Sequence, residues 1–441
     1  MTVRVEKWPT FRVGAVSLLY LTAGLAATVL LVVSGDNSYF RPAHLAFVVA
    51  LAVLAISTNM ASVLIKRFLG NWGGLCLFGF LFYYLIMATG YPNERISNDH
   101  IRYLYSSVIP GFLIGFVAFG YISPASFRAV RIFPSGLRRF MVAAPIVIAL
   151  FAYILLVVAT FIPLVAIRRT DIFLITNLVE DDDIAYQLFG TYMLLAYCVA
   201  FSLAYRLYAR GPAVTGRFLG FVSVQSLVAV VVGMSLALVG STKELVALIL
   251  MLVLTIAYAK PRNWIFRGTT VRLRNAALLA VLVTVCGGVV VWRWLSGFDL
   301  PPLALFGFQE NTSILRHPSL VSRMDILFGA GLAQLSLSPI LGDLGAEHIV
   351  GGAGRYIHSL ISVQSHLGAI GAVCLLGFLV HRLHRIYGVG RHEALKVIAP
   401  PILFVAVMAT FFVWMPFWFV VGALFAPYVS SQERGRTPRR A

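Results

Sequence analysis

Apolar residues gather into long runs separated by short polar connections. The runs fall at about 13–33, 43–65, 71–89, 104–122, 141–167, 184–205, 218–240, 244–259, 275–295, 359–380 and 397–429. A bilayer core about 30 Å thick takes ~20 helical residues, so this spacing predicts a series of membrane-spanning helices. Barrel strands would instead alternate over ~10 residues. The run 397–429 is long for one span, and Trp414-Met-Pro416 supplies a break because proline ends or kinks a helix. The expectation is an all-α polytopic membrane protein of about twelve spans.

Composition agrees with the pattern. Hydrophobic residues make up 60% of the 441, charged residues only 12%, and mean hydropathy is +0.88. Soluble domains carry roughly 25% charged residues, so a soluble enzyme, a coiled coil and a disordered chain are all excluded. A net charge of +18 could suggest nucleic acid, but the distribution of charge argues otherwise. With both termini cytoplasmic, the inner connections hold 25 Lys/Arg against 3 Asp/Glu, and the outer ones 10 against 14. That is the positive-inside bias, and no nucleic-acid partner is needed to explain it. The first run is longer than the ~7–15 residues of a cleavable signal and is expected to remain as a span. Cys76, Cys198, Cys286 and Cys374 all fall within runs, so they suggest small packing residues and neither a disulfide framework nor a zinc site.

These boundaries divide the chain into nine spans over 1–295, an outer loop over 296–358, spans ten to twelve over 359–429 and a basic cytoplasmic tail over 430–441. Within the outer loop, residues 323–336 are apolar but too short to span, as in a helix lying at the interface. Ser338-Pro-Ile-Leu-Gly342 ends that stretch, and a second outer segment, 168–183, closes with Glu180-Asp-Asp-Asp183.

Basic residues on the outer side are the informative ones, because the charge bias disfavours them there. Arg168, Arg169, Lys243, Arg316, Arg323 and Arg355 form this group. Guanidinium groups suit phosphate oxygens, so a phosphorylated lipid head group is one reading; interfacial snorkelling and pairing with outer carboxylates is the other. Lys243 opens a span after Ser241-Thr242, where helix N–H groups favour an anion. It suits either a phosphate or a surface pair with Glu244. His358 opens span ten from the outer side beside Arg355 and Tyr356, where a histidine can serve as base or as a structural residue. His317 and His348 are alternatives in the same loop, His366 lies one to two turns inside span ten, and His44 and His100 edge other loops. The acidic run 180–183 lacks convergent partners, so no metal and no cofactor is expected. No GxxxxGK[ST], GxSxG or HExxH occurs, and no carboxylate falls mid-span, as an ion-coupled transporter would need.

The second half resembles a known family. Ser322-Arg323-Met-Asp-Ile-Leu, Ser338-Pro-Ile-Leu-Gly342-Asp, Tyr356-Ile-His358-Ser and Leu367-Gly-Ala-Ile-Gly371 follow the order found in the O-antigen polymerase/ligase superfamily. Gly240-Ser-Thr-Lys243-Glu is similar to that family's start of an earlier span, with lysine where arginine is commoner. The resemblance covers about residues 240–380.

The resemblance implies a multi-span, GT-C-like glycosyltransferase of the bacterial inner membrane, inverting and metal-independent, with 296–358 as a periplasmic catalytic loop. Its donor would be an undecaprenyl-diphosphate-linked oligosaccharide, polymerised into O-antigen or a related surface polysaccharide of lipopolysaccharide biosynthesis. Arg323 and His358 would be catalytic, with Arg323, Lys243, Arg355, Arg168 and Arg169 binding the donor diphosphate. A chain-length regulator and a flippase would be partners, beside membrane lipid. A ligase transferring glycan to lipid A–core is the close alternative, and a polysaccharide flippase is the alternative of another class.

Overall fold

The computed structural model describes residues 60–116 and 119, 190–202 apart from 192, 196 and 200, single positions between 225 and 236, and then 242–258, 325–350, 357–389 and 393–426. The described residues are 85% helical and include no strand, so the all-helical class holds across them. In chain order the helices are α1 (Met60–Leu69), α2 (Trp72–Gly90), α3 (Glu94–Tyr103), α4 (Ile109–Phe116), α5 (Thr242–Tyr258), α6 (Leu332–Leu337), α7 (Ala346–Ile349), α8 (Ser362–Val389), α9 (Glu393–Ala409) and α10 (Met415–Phe425). A π turn, Leu104–Val108, joins α3 to α4, and another, Leu327–Gly331, leads into α6.

Two of these helices are long and apolar enough to cross a membrane, Trp72–Gly90 and Ser362–Tyr387. Both carry large apolar side chains outward, among them Phe78, Phe82 and Leu85 on α2 and Val373, Leu376 and Val380 on α8. Apolar residues on both the packed and the open face suit a helix set in lipid.

Local chemistry fixes the helix ends. Asn71 caps α2 by accepting from Gly74 N at 3.0 Å, and its own amide donates to Arg67 O at 2.9 Å. Asn93 caps α3 through the Arg95 and Ile96 amides at 3.1 and 3.3 Å, while Ser97 Oγ donates to Ala88 O at 2.7 Å and folds α3 back on α2. The break in the run 397–429 falls at the expected residues: α9 stops at Ala409 and α10 starts at Met415 with Pro416 in its first turn, where a missing N–H costs nothing. At 11 residues α10 is too short to cross a bilayer, and it is buried on every side.

Small residues set the helix contacts. Gly111 and Gly115 of α4 lie against the Met415 and Phe419 carbonyls of α10, and Gly422 of α10 lies against Phe112 O, so the two backbones run parallel in direct contact. Cysteines take this role where α2 crosses α8, with Cys76 Sγ 3.2 Å from a Cβ built at Gly377 and Cys374 Sγ 3.6 Å from one at Gly79. α5 packs on α9. The connections separate into two groups at opposite ends of the bundle. Arg67, Asn71, Arg382 and the Phe425 and Ala426 carbonyls meet at one end. The other end joins α3, residues 338–350, the start of α8 and the α9–α10 junction.

Some boundaries differ from the sequence expectation. Lys66 and Arg67, expected in a connection, end α1, and His381, Arg382, His384 and Arg385 continue α8. Lys66 and Arg67 in the last turn of α1 complement the negative end of its helix dipole, whereas the basic residues of α8 lie before its final turn, which runs on to Val389.

Candidate functional site

The site begins with a break. Helix α8 loses helical geometry at Gly368, with φ 59° and ψ −168°. A break of this kind strands backbone donors and acceptors. The Ser338–Asp343 turn satisfies them. Ala369 N–H donates to Pro339 O at 2.9 Å, Ile370 N–H to Ile340 O at 3.3 Å, and Asp343 N–H to Ser365 O at 2.9 Å. The Gln364 side-chain amide adds a bond to Pro339 O at 2.7 Å. Gly342 N–H closes the turn on Ser338 O at 2.8 Å. Gly342, with φ 80°, sits where a Cβ would lie 2.5 Å from the His366 carbonyl, and a Cβ on Gly368 would lie 2.5 Å from Gly342 N. Only glycine fits at either position, for its backbone and for its lack of a side chain. Two of the quoted motifs, Pro-Ile-Leu-Gly and Gly-Ala-Ile-Gly, therefore form one interlocked unit.

Tyrosines from α2 and its C-terminal edge hold that unit from the side. Tyr83 OH donates to Leu341 O and Tyr91 OH to the Asp343 carboxylate, both at 2.5 Å, and Asp343 also accepts from Gly345 N at 2.8 Å. Burial, and then the bond to Asp343, push the Tyr91 hydroxyl up to about 12, so it remains a donor.

Behind the turn lies a histidine pair that the sequence reading did not select. His100, expected at a loop edge, is buried, with its ring 5.7 Å from that of His366. Its Nε2 faces Leu344 O at 3.3 Å and its Nδ1 faces the Tyr84 hydroxyl at 3.0 Å. A carbonyl only accepts, so Nε2 carries the proton and Nδ1 accepts from Tyr84. Burial, with His366 beside it, holds His100 down near 3, so it is the neutral imidazole. At the rim, Glu347 lies 3.6 Å from His348, and burial, then the charge of Asp99, raise its carboxyl to about 7. The only hint in the sequence was the density of polar residues in 362–366, Ser-Val-Gln-Ser-His, inside an otherwise apolar run.

The selected residues divide. His358 is half-buried on a backbone fixed from both sides. Ile357 packs on Gly331, 3.1 Å from a Cβ built there, while Ser359 Oγ donates to Val407 O at 2.5 Å and Leu360 N–H to Ala406 O at 2.9 Å. His358 thus sits between the π turn leading into α6 and the end of α9. Lys243 lies 3.7 Å from Glu244 and 6.0 Å from the Trp414 ring centroid. The partner carboxylate is not on the surface. Glu244 is fully buried, with Trp414 Nε1 at 3.2 Å and Thr191 Oγ1 at 3.4 Å as donors. Lys243 therefore already has an anionic partner, which reduces the charge it can offer a phosphate. Arg323, Arg355, Arg168 and Arg169 lie outside the described residues, as do Arg316, His317 and the acidic run 180–183.

Among the described residues no three His, Cys, Asp or Glu side chains converge as a metal site. Comparison with protein-family models, with curated proteins and with solved structures gives no match to this chain, so the arrangement of its own residues carries the functional argument.

Proposed function

We propose that the chain is a multi-span, GT-C-like glycosyltransferase that polymerises undecaprenyl-diphosphate-linked oligosaccharide repeat units at the periplasmic face of the bacterial inner membrane. One observation carries this reading. The Ser338–Asp343 turn and the Gly368 break, two of the motifs on which the family resemblance rests, are joined by backbone hydrogen bonds at one end of the bundle. The same end holds His358 and Lys243.

The chemistry requires three things of such a site. The acceptor hydroxyl must lose its proton to a base, a role we give to His358. Its oxygen then forms a bond to the anomeric carbon with inversion as the bond from that carbon to the phosphate oxygen breaks. The electron pair leaves on the lipid diphosphate, whose growing charge needs fixed cations, with Arg323 first and Arg355, Arg168 and Arg169 around it. Lys243 is a weaker member of that set because Glu244 already neutralises it. No divalent metal enters these steps.

The test is purified protein with an undecaprenyl-diphosphate-linked repeat unit. A ladder of lengthening products that persists in EDTA supports the proposal. Transfer only to lipid A–core, without lengthening, would identify a ligase, and a requirement for manganese or magnesium would overturn the metal-independent mechanism.

A further inference from the structure

His366 is 1% exposed, and its hydrogen bonds fix which nitrogen carries the proton. Nδ1 lies 2.9 Å from Ser362 O, a group that can only accept. Ser365 Oγ, 2.9 Å from the same nitrogen, gives its own proton to Ser362 O at 3.0 Å. Nδ1 is therefore the donor, and Nε2 is left as a bare lone pair. That atom is buried and makes no hydrogen bond. The neighbouring His100 cannot supply one, because Leu344 O and Tyr84 OH engage both of its nitrogens. Phe411 and Phe412 form the remaining wall, with ring centroids 4.9 and 5.9 Å from His366. The residue before them, Thr410, is also buried, with its hydroxyl unpartnered. Buried polar atoms without partners cost stability and are rare, and functional sites are where proteins keep them.

We propose that His366 Nε2 is the hydrogen-bond acceptor for a hydroxyl of a bound saccharide, seated at the Thr410–Phe412 junction with Phe411 against the sugar ring. The inference rests on the saccharide substrate of the proposed function and adds a binding residue to it, distinct from the base His358. Gly342 lies on the His366 carbonyl, so the Ser338–Asp343 turn fixes the backbone that carries this ring.

The test uses full-length protein in detergent and the soluble oligosaccharide repeat unit as ligand, with thermal shift and polymer formation read side by side. His366→Asn keeps an N–H for Ser362 O and loses the acceptor at Nε2. His366→Gln places an amide oxygen near the Nε2 position. The expected result is a His366→Asn protein that melts like the parent but binds the saccharide roughly tenfold more weakly, the factor for one ordinary hydrogen bond, with partial recovery in His366→Gln. Parental affinity in His366→Asn would overturn the proposal and leave a water site only. Should His366→Asn fail to fold, His366→Gln decides: parental affinity in that variant supports an acceptor at Nε2, and complete loss overturns it. Parent protein that shifts with saccharide but makes no polymer removes the polymerase reading and keeps this one. Polymer formation without any saccharide shift does the reverse.

Discussion

A Cβ placed on Gly368 would lie 2.5 Å from the amide nitrogen of Gly342, so the broken helix and the turn that fills it meet backbone to backbone. Neither strand of this contact can accept a side chain without separating the three hydrogen bonds around it. Its strength is a property of geometry more than of residue chemistry.

Gly368→Ala is expected to destabilise the protein by at least about 1–3 kcal/mol from its backbone conformation alone, before any steric overlap is added. Gly90→Ala is the control, since nothing lies within 4 Å of a Cβ there. Thermal unfolding in detergent should separate the two clearly. Equal melting would mean that the interlock does not exist.

Glu347 and His100 give opposing pH dependences. Folding raises the Glu347 carboxyl from 4.5 to about 7, so between those values the folded state holds more protons and stability falls as pH rises. Folding lowers His100 from 6.5 to about 3, so across that window stability is lost as pH falls. The groups facing Glu347 are Asp99, itself paired with Arg102 at 3.4 Å, and His348. Glu347→Gln should leave the His100 slope exposed, with stability climbing from about pH 3 to 6.5. Urea titrations across that range measure it, and an unchanged profile would contradict the burial of Glu347.

Lys243→Met leaves the buried Glu244 charge with only its Trp414 and Thr191 donors. The expected loss lies between the ~0–1 kcal/mol of a surface pair and the ~3–5 kcal/mol of a buried one, because Lys243 is itself partly exposed. The double variant Lys243→Met, Glu244→Gln should recover part of that loss. A strictly additive double-mutant cycle would show that the pair does not couple.

On the glycosyltransferase reading, His358→Ala removes the base and should slow chain extension by roughly 10²–10⁴ while expression and insertion persist. Arg323→Lys keeps charge but loses paired donation, and one lost donor to a developing anion costs roughly 10²–10³. His348→Ala, in the same loop, is the control. Normal polymer from the His358 variant would move the base elsewhere.

Periodicity located α2 and α8 because an apolar run is a local signal: 71–89 became Trp72–Gly90, and Pro416 marked the start of α10. Helix ends were harder, since Lys66, Arg67 and Arg382 look like loop residues by charge while their helices continue through them. In the candidate site, Gly342 and Gly368 were both visible as motif glycines. Their contact was not, because backbone pairing across 26 positions leaves no mark on side-chain pattern. His100 was hidden by its polar neighbours Asn98 and Asp99, which made a buried residue read as a loop edge.

Asn71 bonds to three elements through one side chain: Arg67 O of α1, Gly74 N of α2 and Arg382 of α8, the last at 3.1 Å. This pins α2 and α8 together at the end remote from the histidines. A tilt of the packed pair about that corner moves the far end of α2 most. With 19 residues in α2 and a rise of 1.5 Å each, the arm is about 28 Å, so a tilt of roughly 5° at the pin carries the Gly90 end through about 2.5 Å. That travel is close to one hydrogen-bond length at Tyr91, beside the far end, while Tyr83, nearer the pin, moves only about 1.6 Å, so the bond to Asp343 would part before the bond to Leu341.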